Sequence, residues 1–314
     1  MKKEELLSAH RRIQPYIHRT PVLTCQTLDA LSGATLFFKC ENFQKMGAFK
    51  MRGAANAILQ LGEGARQNGV ATHSSGNFAQ ALSLAAKMLG VKAYIVMPSN
   101  SPDVKKAAVR DYGGEIIECE PTLLAREETL QKVVDRTGAT FIHPFNDDNV
   151  ILGQGTAALE LLGEVPDLDF IISPVGGGGL LGGTALAARF FSSGTIVIAA
   201  EPFGADDAWQ SKQAGHIIPQ TNPQTIADGL RTSLGDKTYP LVRDYVEAII
   251  RVEEQEIVEA LRLLMERMKI VVEPSGAVAL AALLREKDKF GGQRIGIILS
   301  GGNVDLKTLG GLFS

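Results

Sequence analysis

The stretch Ser173-Pro174-Val175-Gly176-Gly177-Gly178-Gly179-Leu180-Leu181-Gly182-Gly183 constrains the fold more than any other part of this chain. An apolar, β-branched run enters it from residue 170, and an Ala/Leu-rich run leaves it toward residue 191. That order reads as strand, glycine turn and helix. Four glycines in series raise the entropy cost of folding, which a close approach of the backbone to another group offsets. N–H groups in such a turn converge, and the following helix adds partial positive charge at its N-terminus. A phosphate fits there; the alternative is a tight strand-to-helix turn with no guest.

The same rhythm runs through the rest of the sequence. Strands are expected at 35–39, 69–72, 93–97, 115–119, 170–174, 196–200 and 295–299. Helices are expected at 52–61, 79–89, 104–111, 124–135, 155–162, 182–191, 254–268 and 276–284. Such alternation implies an α/β fold with open, mostly parallel sheets covered by helices. A chain of 314 residues, 45% of them hydrophobic, can bury a large core as one domain or two lobes. Residues 69–146 carry their own strand–helix set and are expected to form a small inserted domain, with 1–68 and 147–314 as the large one.

Composition narrows the function classes. A net charge of −3 gives no global attraction to nucleic acid or an anionic membrane. No apolar run reaches about 18 residues, so no membrane span is expected. The opening Met1-Lys2-Lys3-Glu4-Glu5 is not an apolar signal segment. Cys25, Cys40 and Cys119 are widely spaced and odd in number, which argues against a disulfide framework or a structural zinc site. The expectation is a cytoplasmic globular protein acting on a small molecule.

The glycine run has two chemical readings. Gly177-x-Gly179-x-x-Gly182 satisfies a dinucleotide fingerprint, and Glu201 closes the next strand where a ribose-binding acid would lie. By itself this suggests an NAD-dependent dehydrogenase. Two features weaken that reading. The run lies in mid-chain rather than in the first strand–turn–helix unit. Glu201 also opens the turn Pro202-Phe203-Gly204-Ala205-Asp206-Asp207, whose carboxylates suit a cation better than a ribose.

Near the N-terminus lies Gly47-Ala48-Phe49-Lys50-Met51-Arg52-Gly53-Ala54. Lys50 stands between two apolar side chains at the start of an Ala-rich helix. Desolvation there would lower its pKa and free the amine for Schiff-base chemistry. An isolated lysine is more often a solvated surface group, so the rest of the sequence decides.

Taken together, the motifs resemble the fold type II pyridoxal-phosphate enzymes, in particular the serine racemase and serine/threonine dehydratase group. The resemblance runs from His18-Arg19-Thr20-Pro21-Val22 to Leu299-Ser300-Gly301-Gly302-Asn303-Val304-Asp305. Residues 47–53 are similar to the Schiff-base motif, with Ala48 where serine is common. The resemblance implies that Lys50 carries pyridoxal 5'-phosphate and that Phe49 packs on its ring. Gly176, Gly177, Gly178, Gly179 and Leu180 would hold the phosphate, and Ser300 would face the pyridine nitrogen. Ser74, Ser75, Gly76 and Asn77 would hold the substrate carboxylate, with Asn77 beside the cofactor's phenolic oxygen. Ser75 would lie on the face opposite Lys50 as the second acid/base that racemisation requires. Arg126 and Ser233 match positions near the substrate pocket. Glu201, Asp207 and the Ala205 carbonyl match a divalent-metal loop, whose oxygen ligands suit Mg²⁺, Ca²⁺ or Mn²⁺. The segment Ile226-Ala227-Asp228-Gly229-Leu230-Arg231-Thr232-Ser233 strengthens that match.

The activity so implied is loss of water from a hydroxy-amino acid such as serine or threonine, with racemisation permitted by Ser75, in a homodimer. Because the chain ends shortly after Ser300, it is expected to lack the C-terminal regulatory domain of biosynthetic threonine deaminases. Phe78 stands where the group commonly has histidine and leaves the preferred substrate open. His73 and His143 are expected to be structural, and Trp209 to pack beneath the metal turn. A non-catalytic binding protein is disfavoured by Lys50, Ser75 and Ser300 occurring together.

Overall fold

The β-branched runs pair into two separate sheets in the computed structural model, which describes residues 1–313. The described strands are β1 (Val22–Leu23), β2 (Thr35–Cys40), β3 (Val70–His73), β4 (Ala93–Pro98), β5 (Glu115–Cys119), β6 (Thr140–Phe141), β7 (Phe170–Pro174), β8 (Ile196–Pro202), β9 (Ala248–Val252) and β10 (Arg294–Leu299). One sheet has the order β1-β2-β10-β7-β8-β9 and the other β5-β4-β3-β6. Every pairing is parallel except that of β1 with β2. The α/β architecture expected from alternation is therefore the one observed, and each strand read from the sequence is present. β1 and β6, two residues each, are too short to leave a pattern.

Helix boundaries differ from expectation in two instructive places. The helix expected at 155–162 begins earlier, as Asp148–Glu164, capped by the Asp147 carboxylate on the N–H groups of Asn149 and Val150. Its glycines serve close packing. A Cβ on Gly153 would lie 2.6 Å from Gly53 Cα, and one on Gly155 would lie 2.7 Å from the Gly183 carbonyl. The helix Asp148–Glu164 is thus pressed between Lys50–Leu59 and Gly179–Phe191, the helices that begin with the lysine and the glycine turn. The helix expected at 254–268 is α-helical only to Leu263; a π-helical turn, Leu264–Met268, then closes at Lys269 with φ +60°.

The six-stranded sheet buries Phe38, Ile172 and Leu299 against the helix Pro274–Arg285. The four-stranded sheet has its own core around Ile95, Met97 and Leu82, which also takes in Met51, Ala54 and Ile58 from the helix Lys50–Leu59. The segments singled out in the sequence leave the carboxyl ends of strands: 41–50 after β2, 74–77 after β3, 176–180 after β7, 203–207 after β8 and 300–303 after β10. That edge is where open α/β sheets bind ligands.

Candidate active site

Lys50 is held from both sides. Ahead of it, Phe49 N–H donates to the Ser300 carbonyl (3.0 Å), Gly302 N–H to Gly47 (2.8 Å), and Asn303 Nδ2 to Met46 (2.7 Å). Behind it, the buried Arg52 guanidinium forks onto Glu41 (2.7 and 2.8 Å) and Glu160 (2.8 and 2.7 Å). Lys39 adds a second cation to Glu160 at 2.8 Å. Burial pushes the Glu160 carboxyl up, but Arg52 and Lys39 outweigh it and hold it below its ordinary value. Paired and hydrogen-bonded, these charges are tolerated in the interior, and they fix the first turn of the lysine's helix. The Lys50 amine donates to the Pro144 carbonyl at 2.9 Å. Desolvation draws its pKa down to about 8 against the opposing charge of Glu273.

The next residue along connects the lysine to the glycine turn. The Phe145 side chain covers Gly177 and Gly179, where a Cβ would meet it at 2.3 and 3.1 Å. Gly176 lies as close to Leu230, and Gly178, with φ +82°, forms the N-cap of the helix Gly179–Phe191. Packing alone therefore requires glycine in this run. It does not account for the donors: residues 176–180 are buried, yet none of their N–H groups donates to a carbonyl among the described residues. Buried unpaired amides at a helix N-terminus are a costly arrangement that an anion relieves.

Asn77 links the third segment. Its Nδ2 donates to both oxygens of Glu273 (2.9 and 3.1 Å), and its Oδ1 accepts from Asn303 Nδ2 (3.0 Å). Ser74 Oγ accepts the N–H of Gly76 at 3.3 Å, while Ser75 has no side-chain hydrogen bond to another described residue. Glu273 was not foreseen. Its sequence signal is an acid immediately before Pro274 at a helix start; burial pushes its carboxyl up to about 7. Also unforeseen were the Pro144 carbonyl and Phe145. His143 holds that loop: its Nδ1 accepts the N–H groups of Phe145 (3.3 Å) and Asn146 (2.9 Å). Burial, then the nearby His73 and Lys50, pull His143 down to about 4, so it is a neutral structural group, as expected.

Lys50, Asn77, residues 176–180 and the 300–303 segment are thus linked by a chain of contacts that runs through Phe49, Pro144, Phe145 and Glu273. Two expected pocket residues are not. Ser233 Oγ accepts the Gln220 N–H at 2.7 Å, and Arg126 lies near Cys119 and His73 with its Nε buried and unpartnered among the described residues.

The acidic turn is separate. Glu201 is buried and caps the helix Asp207–Ala214, accepting the N–H groups of Ala208 and Trp209 (both 2.9 Å). Asp206 is occupied by Arg251 at 2.8 Å, and that guanidinium stacks 3.5 Å from the Trp209 ring centroid. Asp207 is buried, accepts from Leu234 N–H through Oδ2 (3.2 Å), and leaves Oδ1 unpartnered. Burial pushes Asp207 up to about 7 and, with the charge of Asp207, raises Glu201 well above the usual carboxylate range. No cluster of three His, Cys, Asp or Glu side chains suited to a metal occurs among the described residues.

A family model described as "Pyridoxal-phosphate dependent enzyme" matches residues 13–301. The chain belongs to that family. A serine racemase of Arabidopsis thaliana is 54% identical, covering 96% of this chain and 92% of the relative. A beta-hydroxyaspartate dehydratase of Paracoccus denitrificans is 50% identical, covering 98% of this chain and 97% of the relative. Among solved structures, maize serine racemase matches with a TM-score of 0.95 at 50% identity, covering 99% of this chain and 96% of that one. The dehydrogenase reading of the glycine fingerprint finds no support. Glu201, cast as the ribose acid, is 1% exposed and spends both oxygens on helix amides. No described helix is long and apolar enough to cross a membrane.

Proposed function

We propose that this chain removes water and ammonia from 3-hydroxy amino acids and also racemises them at the α-carbon, with pyridoxal phosphate held by Lys50. The observation that carries this is the meeting of a half-buried, neutralisable amine with five unpaired buried amides, bridged by Pro144 and Phe145. The residues fit the group. Amides 176–180 accept a phosphate, Lys50 supplies the amine, and Ser300, 3% exposed, offers a neutral hydroxyl for the ring nitrogen. Bound pyridoxal phosphate supplies an electron sink for the charge left at the substrate's α-carbon.

The chain's own residues then have distinct tasks. Loop 74–77 orients the substrate carboxylate and so fixes which α-carbon bond is broken. Lys50, once displaced by the incoming amino acid, is the group that takes the α-proton on Nζ, and burial favours its neutral form by lowering its pKa to about 8. Ser75 holds or releases a proton on the opposite face, which racemisation needs and elimination does not. Phe49 packs on the cofactor ring. Arg126 and Ser233, which no direct contact among the described residues joins to this cluster, are assigned to the edge of the substrate pocket on the family resemblance alone. The relatives named for serine and for hydroxyaspartate support a hydroxy-amino acid substrate.

At the acidic turn the reading is a hard divalent cation, Mg²⁺, Ca²⁺ or Mn²⁺, on Glu201, Asp207 and the Ala205 carbonyl; Asp207 Oδ1, a buried oxygen with no partner, supports it, while each Glu201 oxygen would have to bind the cation through a second lone pair beside its helix amide. The cation's role there is structural. Residues 69–146 form the small domain; β3, β4, β5 and β6 all fall within it, although the core they build includes Met51 and Ile58 from outside. A cytoplasmic homodimer rests on the family resemblance.

Two measurements test the reading. Purified protein should absorb at the visible edge and lose that band on borohydride reduction, with the label on Lys50; absence of any band sinks the assignment. With a panel of D- and L-hydroxy-amino acids, Ser75→Ala should lose racemisation by about 100-fold or more while keeping elimination from the L-form. Equal loss of both activities removes Ser75 from the mechanism.

A further inference from the structure

One side chain touches the Lys50 amine without a task assigned to it. Phe78 follows Asn77 in the first turn of the helix Asn77–Met88 and is 2% exposed. Its ring centroid lies 5.7 Å from Lys50 Nζ, and that of Phe49 lies 5.0 Å from the same atom. Both distances are within cation–π reach. Phe78 belongs to the apolar cluster of Ala48, Met51 and Ala54, so the lysine's own helix backs the ring and fixes it.

The rest of the amine's surroundings give the rings their weight. Its hydrogen bond goes to an uncharged carbonyl, that of Pro144. No carboxylate among the described residues stands within ion-pair distance of it. The titratable groups that act on it are Glu273, at the head of the helix Pro274–Arg285, and His143, from the loop after β6. His143 keeps Nδ1 as an acceptor of two backbone N–H groups and brings no charge near neutral pH. A carboxylate partner would lock the amine as ammonium, and aliphatic walls alone would strip its proton. Aromatic faces exclude water yet attract the cation modestly.

We propose that Phe78 is a positioning residue which, with Phe49, clamps the Lys50 amine between two aromatic faces and sets how readily it gives up its proton. The proposal rests on Lys50 being the cofactor's anchor. The full chain, freed of cofactor and reloaded with pyridoxal phosphate across a pH series, reads the amine directly, because uptake requires its neutral form. Visible absorbance follows the rate, and borohydride trapping with peptide mapping identifies the lysine. Phe78→Leu keeps an apolar side chain without the π face, so the uptake midpoint should move about half a pH unit lower. Phe78→Tyr should keep the original midpoint. Phe78→His should add a second ionisation in the imidazole range. If the Leu variant fails to fold by circular dichroism, the Tyr and His pair decides, and superimposable profiles overturn the proposal. An unshifted midpoint in a folded Leu variant with cofactor on Lys50 overturns the ring's role and leaves the anchor intact. Trapping on a different lysine overturns both.

Discussion

The glycine turn at 176–180 and the acidic turn at 201–207 lie at the ends of neighbouring strands, β7 and β8, the first fully buried and the second in part, with Glu201, Ala205 and Asp207 buried. They leave polar atoms of opposite kind without partners. The first leaves donors, the N–H groups of residues 176–180; the second leaves an acceptor, Asp207 Oδ1, beside a like-charged Glu201. On the proposed reading, the sign of each guest follows from which atoms the fold leaves over. The glycine motif alone fitted two cofactors. The two sites also differ in what they are made of. The first draws its charge from backbone, which titrates nowhere and changes only when a side chain intrudes. The second draws it from carboxyls, which a near-isosteric amide can silence.

That contrast can be broken by steric means on one side and by charge on the other. The largest effect is expected from Gly177→Ala, whose Cβ would stand 2.3 Å from the Phe145 ring. Overpacking of this kind costs about 1–3 kcal/mol, so pyridoxal-phosphate affinity should fall roughly 10- to 100-fold, read by cofactor titration. Unchanged affinity would mean the amides do not form the phosphate site. Next comes Asp207→Asn. With chelator present, relief of buried repulsion with Glu201 should raise the melting temperature by about 2–4 °C per kcal/mol gained, and added Mg²⁺, which should stabilise the unaltered chain, should no longer act. A variant that still responds to Mg²⁺ separates the turn from the cation.

A further effect concerns pH. His143 ionises at about 4 when folded and near 6.5 otherwise, so folding favours its neutral form. Its contribution is complete above pH 6.5 and is lost as pH falls toward 4, when Nδ1 must take a proton and release two backbone amides. Thermal melts between pH 7 and 4 should show this loss, and His143→Asn should flatten that part of the profile. The glycine turn offers no such term; a melt profile unaltered by His143→Asn would place the acid sensitivity elsewhere.

What the sequence disclosed follows the same division. Strands β2, β7 and β10, the lysine segment and both turns were legible because each is a local run of residue types with one conformational reading. Glu273 was missed because it meets Asn77 across 196 residues, and nothing local marks an acid before a proline as part of a site. The Pro144 carbonyl was missed for a deeper reason: every residue has one, and only the tertiary fold selects it, 94 positions from Lys50. Arg126 and Ser233 came from motif matching alone, and no direct contact among the described residues joins them to Lys50, Asn77 or the glycine turn. Helix 148–164 was read short because glycines that weaken a helix in isolation are what let three helices touch.

Asn77 fastens the end of β3 to segments that belong to the other sheet, by two bonds to Glu273 and one from Asn303. At about 1 kcal/mol net for each bond, breaking this hasp would be disfavoured by roughly two orders of magnitude in population. If loop 74–77 takes the substrate carboxylate as proposed, every turnover has to work that hasp.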